Sequence, residues 1–121
     1  MTEKINSGFL SGRPFGGLRV LIRKSINVCV QVLDVMHNCR VVGLGCTFPN
    51  GYKILLFIVY FPCSGNNSDY DSELLECPGF IEQCAAMYDY HNIMVLGDMN
   101  FECESGSRGY TLFKNMVGGL V

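Results

Sequence analysis

An unbroken run of eight apolar residues, residues 54–61, constrains the fold of this chain more than any other feature. The run is too short to cross a bilayer, which requires about 20 residues. Its β-branched and aromatic content instead favours a strand that is buried on both faces. Asn50 and Gly51 lie just before it, and this pair is typical of a tight hairpin turn. The sequence therefore predicts a central strand over residues 52–61, entered through a hairpin.

Three segments before this run are also predicted to be strands: residues 18–23, 28–33 and 39–48. Each is rich in valine or in other apolar residues, and short turn sequences separate them. Residues 17–61 are therefore predicted to form consecutive antiparallel strands.

The second half of the chain is predicted to contain one main helix and one more strand. Asp69 is a good N-cap for a helix over residues 70–88, although Pro78 predicts an interruption that leaves residues 80–88 as the firmer part. A short apolar strand follows at residues 93–96. The tail, residues 101–121, is predicted to be a loop with a helical turn around residues 110–116. The fold class expected is a single layered α/β domain spanning residues 1–121.

Composition narrows the classes of function. The chain is 49% hydrophobic and 17% charged, which suits a packed core rather than a disordered segment. Its formal charge of -2 excludes a broadly basic surface for nucleic acid, so any DNA contact would require a local site. The seven cysteines form no C-x-x-C pair. They are predicted to be small, buried, reduced residues of an intracellular protein without a signal peptide.

The segment most informative about chemistry is residues 94–101, in which an apolar strand ends in Asp98 and Asn100. Side chains two residues apart on a strand point the same way, so the two could address one ligand. A carboxylate beside an amide suits phosphate chemistry, because the acid orients a water or a metal and the amide donates to a phosphoryl oxygen. The alternative is that both residues only end the strand in a turn.

Three segments together resemble the endonuclease/exonuclease/phosphatase superfamily. The Gly-Asp-Met-Asn of residues 97–100 resembles a hallmark of that superfamily, which includes deoxyribonuclease I. Residues 12–24, with their Gly-Gly pair, are similar to a strand of the endonuclease domain of non-LTR retrotransposons, and residues 57–62 are similar to the strand that ends in Tyr-x-Pro. The resemblance covers roughly residues 12–113 and implies part of a two-sheet α/β sandwich, with mostly antiparallel strands and one main helix.

The resemblance also implies roles for individual residues. Asp98 matches the aspartate that positions or activates the attacking water, Asn100 the asparagine that contacts the scissile phosphate, and Tyr60 the tyrosine that donates a hydrogen bond to it. The alternative for Tyr60 is a core or edge aromatic residue. Arg13 and the Arg23-Lys24 pair are candidates for contacts to the DNA backbone, or are simply solvated.

Other family residues have no match in the sequence. The magnesium-binding glutamate of the early Gln-Glu pair has no equivalent before Gly16, and no Asp-His pair follows Asn100. His37 and His91 are predicted to be turn residues. Glu102 and Glu104 follow the motif closely, but the resemblance gives them no metal role.

The expected function follows from this pattern. An intact relative would hydrolyse DNA phosphodiester bonds with Mg²⁺ and nick one strand, as an intracellular protein for which a nuclear location is one option. Here Asp98 would be the only matched metal ligand, and a lone carboxylate holds Mg²⁺ weakly. We therefore expect a domain that lacks its first and last strands, with impaired activity. A phosphatase of the same superfamily and a non-catalytic interaction module remain the alternatives.

Overall fold

The computed structural model describes residues 18–62, 69–100 and 108–120. These residues form an α/β unit with one mixed four-stranded sheet and two helices. In chain order the elements are β1 (Cys29–Val35), β2 (Val41–Thr47), β3 (Lys53–Tyr60), α1 (Asp69–Met87), β4 (Asn92–Asp98) and α2 (Arg108–Leu120). Residues 1–17, which include the predicted contact residue Arg13, lie outside the described part, as do residues 101–107 with Glu102 and Glu104.

The strands are ordered β1-β2-β3-β4 across the sheet. Both β1–β2 and β2–β3 are antiparallel, whereas β3 and β4 are parallel because α1 connects them as a crossover. The predicted strands at residues 28–33, 39–48, 52–61 and 93–96 are confirmed, each with its ends shifted by a few residues. The hairpin turn is confirmed as well, since Gly51 N–H donates to the carbonyl of Phe48 at 2.9 Å.

Both helices contribute to a core on one face of the sheet. The side chains of β3 alternate, and Leu55, Phe57 and Val59 on the helix side are at most 1% exposed. Helix α1 presents a stripe of apolar residues at the spacing of a helix face, and α2 adds one fully buried residue. The buried helix residues of the hydrophobic core are Leu74, Cys77, Ile81, Cys84 and Met116.

Close packing of this core depends on a glycine in β2. The aromatic side chain of Tyr90 lies across Gly45, and its hydroxyl occupies the space that a Cβ atom would need. Tyr90 packs against the core, and burial raises the pKa of its hydroxyl. Without a side chain at position 45, the loop before β4 can lie directly on the sheet.

The opposite face of the sheet, here called the open face, is also apolar. It carries the alternate residues of each strand, including Leu56 and Ile58 of β3, which are only partly buried. Exposure rises towards the edges, where Val32 is 61%, Met94 46% and Leu96 47% exposed. Elsewhere on this face, the β2 side chains are buried: Val42, Leu44 and Cys46.

Three of the sequence predictions are wrong. Residues 18–23 form no strand, because no partner strand pairs with them within the described residues, and Leu21 is 83% exposed. Helix α1 continues through Pro78, because the buried stripe on either side holds the backbone helical despite the lost N–H. Residues 108–120 of the tail form the helix α2 rather than a loop with one helical turn, because their apolar residues pack against α1 and the core. There are thus two helices where one main helix was expected.

The prediction for the cysteines is confirmed only in part. All five described cysteines are free thiols, but Cys29 and Cys39 are exposed, because Cys29 lies on the edge strand and Cys39 in a turn. The other three are buried, and burial raises the pKa of Cys77 to about 11. Burial also raises the pKa of Cys46 and Cys84. Their desolvated thiols are held in the protonated form.

Candidate functional site

The candidate site lies where β3 and β4 end. Because these strands are parallel, their carboxyl ends meet at the same end of the sheet, and the register pairs Tyr60 directly with Asp98. Paired residues on neighbouring strands share a face and lie about 5 Å apart at their Cα atoms. Both residues are exposed, Tyr60 by 41%. The fold thus brings together two residues that are 38 positions apart in the sequence.

Gly97 allows β4 to lie close enough to β3 to deliver Asp98. Its φ of 138° lies in a region that residues with a side chain rarely adopt, and a Cβ atom there would overlap the carbonyl oxygen of Val59. Asp98 then accepts, through its backbone carbonyl, the N–H of Phe61 at 2.9 Å. The end of β3 and the end of β4 are therefore fixed relative to each other by backbone contacts.

The turn after β4 places Asn100 beside this pair. Asn100 adopts the left-handed conformation, with a φ of 52°, and its N–H donates to Oδ1 of Asp98 at 3.0 Å. Its side-chain amide donates through Nδ2 to the carbonyl of Phe61 at 2.8 Å. These contacts form an Asx-type turn, the geometry that the alternative interpretation of Asp98 and Asn100 predicts. They also hold both side chains in one orientation.

Arg40 is a residue of this site that sequence reasoning missed. Its guanidinium lies 5.9 Å from the centre of the Tyr60 ring and donates through Nη1 to the Tyr60 carbonyl at 3.2 Å. It also forms an ion pair with Glu73 of α1, with a distance of 3.1 Å between Nη2 and Oε2. Arg40 lies just before β2, and β2 begins at the end of the sheet where the antiparallel β3 finishes. Its place beside Tyr60 therefore depends on the register of the β2–β3 hairpin, which no local sequence motif indicates.

The basic residues proposed from the sequence lie elsewhere. Arg23 and Lys24 are exposed in the segment before β1, where the carbonyl of Arg23 accepts the N–H of Ile26 at 3.1 Å in a turn. The structure therefore places neither of them on the sheet end that carries Asp98, and Arg40 is the arginine that contacts Tyr60.

Both histidines lie in turns or bends, as predicted, and neither adjoins Asp98. His37 follows β1 and lies 3.8 Å from Oε2 of Glu76, with 77% of its side chain exposed. His91 precedes β4, so the length of that strand, about 20 Å, separates it from Asp98. Its Nδ1 accepts the N–H of Lys53 at 3.0 Å, and its ring stacks on Tyr52 with the ring centres 5.1 Å apart. His91 thus supports the start of β3 and β4.

The residues around Asp98 do not form a ready metal site. Within the described ranges, no group of three or more His, Cys, Asp or Glu side chains converges on one point. Oδ1 of Asp98 already accepts the Asn100 N–H, and the Glu73 carboxylate is paired with Arg40. Mg²⁺ requires several oxygen ligands in near-octahedral geometry, so the described residues do not fit a resident Mg²⁺.

Comparison with known proteins adds no relative. No family model, no curated protein and no solved structure matches this chain. Within the described residues, no helix is long and apolar enough to span a membrane.

Proposed function

We propose that this chain is part of an endonuclease/exonuclease/phosphatase domain of the retrotransposon type, with DNA as its partner and strongly reduced phosphodiester hydrolysis. The observation that carries the proposal is the pairing of Tyr60 with Asp98, with Asn100 tied to the same sheet end. These are the three residues that the resemblance nominates, and they come from two segments of the chain. A turn that only ended β4 would not require Tyr60 to lie beside it.

The open face supports the finer fold in this proposal, one sheet of a two-sheet, deoxyribonuclease I-like sandwich. A sheet that packs on helices alone needs only one apolar face, whereas a sheet inside a sandwich needs two. Leu56, Met94 and Leu96 are apolar residues on the face that the helices leave uncovered. We infer that a second sheet covers this face in an intact domain.

The proposed chemistry uses the groups that the turn orients. The second carboxylate oxygen of Asp98 would accept a hydrogen bond from the attacking water and orient it towards phosphorus. The second amide hydrogen of Asn100 and the Tyr60 hydroxyl would donate to phosphoryl oxygens, where negative charge develops in the transition state. Arg40 lies beside the Tyr60 ring at the same sheet end, where its charge is balanced by the ion pair with Glu73.

Reduced activity follows from what this set of residues lacks. The resemblance implies a bound Mg²⁺ that would neutralise charge on the phosphate, and within the described residues no group of three or more His, Cys, Asp or Glu side chains could hold it. Each missing group that stabilises a transition state typically costs about 10²–10³ in rate. We therefore propose that the chain binds a phosphodiester at this sheet end and cleaves it very slowly. No step of the proposed chemistry depends on the metal.

Binding and hydrolysis are tested separately. In a titration with a short DNA duplex followed by nuclear magnetic resonance, backbone amide shifts should change at Tyr60, Asp98 and Asn100. A Tyr60→Phe variant should weaken these changes. An unchanged spectrum at this sheet end, with shifts elsewhere or nowhere, would refute the proposed site.

Hydrolysis is measured by the nicking of a supercoiled plasmid in Mg²⁺. We expect slow nicking by the chain, and slower nicking still by its Asp98→Ala variant. The matched control is Asp89→Ala, which removes an exposed aspartate before β4, away from this sheet end. Rapid nicking that is lost in Asp98→Ala and with a chelator, but retained in Asp89→Ala, would show an intact enzyme and contradict the proposed impairment.

The second candidate function is a non-catalytic interaction module. It is favoured by the fact that the Asp98 and Asn100 side chains are both used in backbone hydrogen bonds that stabilise a turn. Under this alternative, DNA would cause no shifts at Tyr60. Asp98→Ala would then lower stability without affecting any DNA contact.

A further inference from the structure

Within the described ranges, strand β4 forms one edge of the sheet. It pairs with β3 on one side, and no strand in the described part of the chain pairs with its other side. Six of its seven residues are exposed and Val95 is partly buried. An exposed edge strand presents unpaired N–H and C=O groups that can add another strand.

The opposite edge strand, β1, is protected in a way that β4 is not. A β-bulge between Val32 and Asp34 interrupts the regular ladder of β1, whereas both edge strands carry an aspartate near their carboxyl end, Asp34 in β1 and Asp98 in β4. Bulges and charges are the usual means by which proteins block edge pairing. In β4, residues 93–97 contain no charged residue and no proline, and the ladder with β3 is regular throughout.

We propose that two copies of this chain associate through β4, which pairs antiparallel with β4 of the second copy about a two-fold axis at Val95. This arrangement extends the two sheets into one continuous eight-stranded sheet, because each copy contributes four strands. It satisfies the outward backbone groups of both edges at once. A pairing of this kind uses the same surface on both copies, as a two-fold interface requires.

The sequence of β4 selects this register. With the axis at Val95, Met94 lies opposite Leu96 of the second copy, and Asn92 lies opposite Asp98 of the second copy. Apolar residues thus face apolar residues, and no like charges are opposed. A shift of the axis by one residue would place Asp98 opposite Met94, or Asn92 opposite Leu96. Opposite residues in an antiparallel pair point to the same face of the sheet. A register that placed Met94 opposite Val95 would therefore turn the second copy over, with its helices on the other side of the combined sheet.

Self-association is measured by sedimentation velocity over a range of concentrations. We expect the unmodified chain to form dimers, and Met94→Lys and Leu96→Glu each to weaken association by about tenfold or more, because each places a charge opposite an apolar residue. Both positions are nearly half exposed, so the monomer should tolerate the changes. Circular dichroism would verify that the variants are folded. The matched control is Val32→Lys, on the same face at the other edge, which should leave the dimer unchanged.

The register is tested by mixing variants. A mixture of Met94→Lys and Leu96→Glu should form a heterodimer, because the new ammonium and carboxylate groups lie opposite each other across the axis. A mixture of Met94→Lys and Met94→Glu should not, since position 94 does not oppose itself. Restored association only in the first mixture would support both the interface and its register.

Three results would overturn the proposal. The chain could remain monomeric at about 100 μM, a concentration at which even a weak micromolar dimer would be populated. Val32→Lys could abolish association as completely as Met94→Lys, which would identify the open face as the interface. The two mixtures could behave alike, which would exclude the pairing about Val95.

Discussion

The two faces of the sheet are almost equally apolar, yet their side chains are buried to different extents. On β3, Leu55 faces the helices and is fully buried, while the adjacent Leu56 faces away and is only partly buried. On β4, Val95 packs against the core, while Met94 and Leu96 on the open face are nearly half exposed. What differs between the two faces is therefore the layer above them and not the residues within them.

This difference indicates how the sheet is stabilised. Burial of apolar surface contributes roughly 25 cal/mol per Å², so the helix face provides most of the stabilisation. The exposed residues of the open face are apolar, which is the chemistry of surfaces that other protein layers bind. Even there, the central strand β2 is buried at Leu44, which is 2% exposed. The surface available to a partner is therefore concentrated on the outer strands.

The largest effect on stability is expected when the same substitution is made at two adjacent positions, one on each face of the sheet. Leu55→Ala removes a fully buried side chain and should lower the free energy of unfolding by about 2–5 kcal/mol. Leu56→Ala should cost less than half as much, because its side chain keeps part of its contact with water. Urea denaturation of the two variants measures the difference. Equal losses would mean that another layer covers the open face as completely as the helices cover the other.

A smaller effect is expected where Tyr90 packs against the sheet. Gly45→Ala forces a methyl group against the Tyr90 hydroxyl, and overpacking of this kind costs about 1–3 kcal/mol. Removing the hydroxyl should relieve the clash, so the double variant Gly45→Ala/Tyr90→Phe should recover much of the loss. The thermal unfolding midpoints of the three proteins provide the measurement. A double variant no more stable than Gly45→Ala would show that the contact is not the cause.

Stability should also fall at high pH because of the buried thiols. The folded state holds the pKa of Cys77 at about 11, above its ordinary value of 9.0, so folding favours the protonated thiol. The resulting stabilisation is complete below about pH 9 and is lost as the pH rises from there towards 11. Burial shifts the pKa of Cys46 and Cys84 in the same direction. Urea denaturation between pH 7 and 10 should therefore show decreasing stability above pH 9, and Cys77→Ala should make the decrease shallower.

The alkylation rates of the individual cysteines measure how well each face of the sheet is covered. Alkylation at neutral pH should be fast at the exposed Cys29 and Cys39, and slow at Cys77 and Cys84 in the helix layer. Cys46 is 8% exposed on the open face and should react at an intermediate rate. Peptide mass spectrometry resolves the individual sites. If Cys46 reacts as slowly as Cys77, the open face is covered in solution.

The strands were the most predictable part of this fold. An eight-residue apolar run and an Asn-Gly turn are local signals, and they identified β3 and its hairpin with β2. The prediction failed for residues 18–23, whose composition suits a strand but which lack a partner, and a strand needs one to satisfy its backbone. It also failed at Pro78, because the buried residues on both sides outweigh the local penalty of proline. Tertiary packing decided both cases.

The candidate site was predictable only residue by residue. The sequence nominated Asp98, Asn100 and Tyr60 from short motifs, but their proximity depends on β3 and β4 being parallel. Arg40 carries no local signal at all, since its place beside Tyr60 results from the hairpin register and from its ion pair with Glu73. Such long-range geometry is set by the topology of the sheet.

The smallest effect concerns two ion pairs between the turns and α1. Glu73→Gln removes the partner of Arg40, whose side chain is 25% exposed, and should cost at most about 1 kcal/mol. Glu76→Gln is the matched control, because its contact with His37 spans 3.8 Å and His37 is largely solvated, so its loss should have no measurable effect on stability. Chemical denaturation at low and high salt separates the two, since only the Glu73 contribution should shrink as salt is added. Equal effects would mean that Arg40 is held by its hydrogen bond to the Tyr60 carbonyl alone, and that α1 does not help to orient the end of β3.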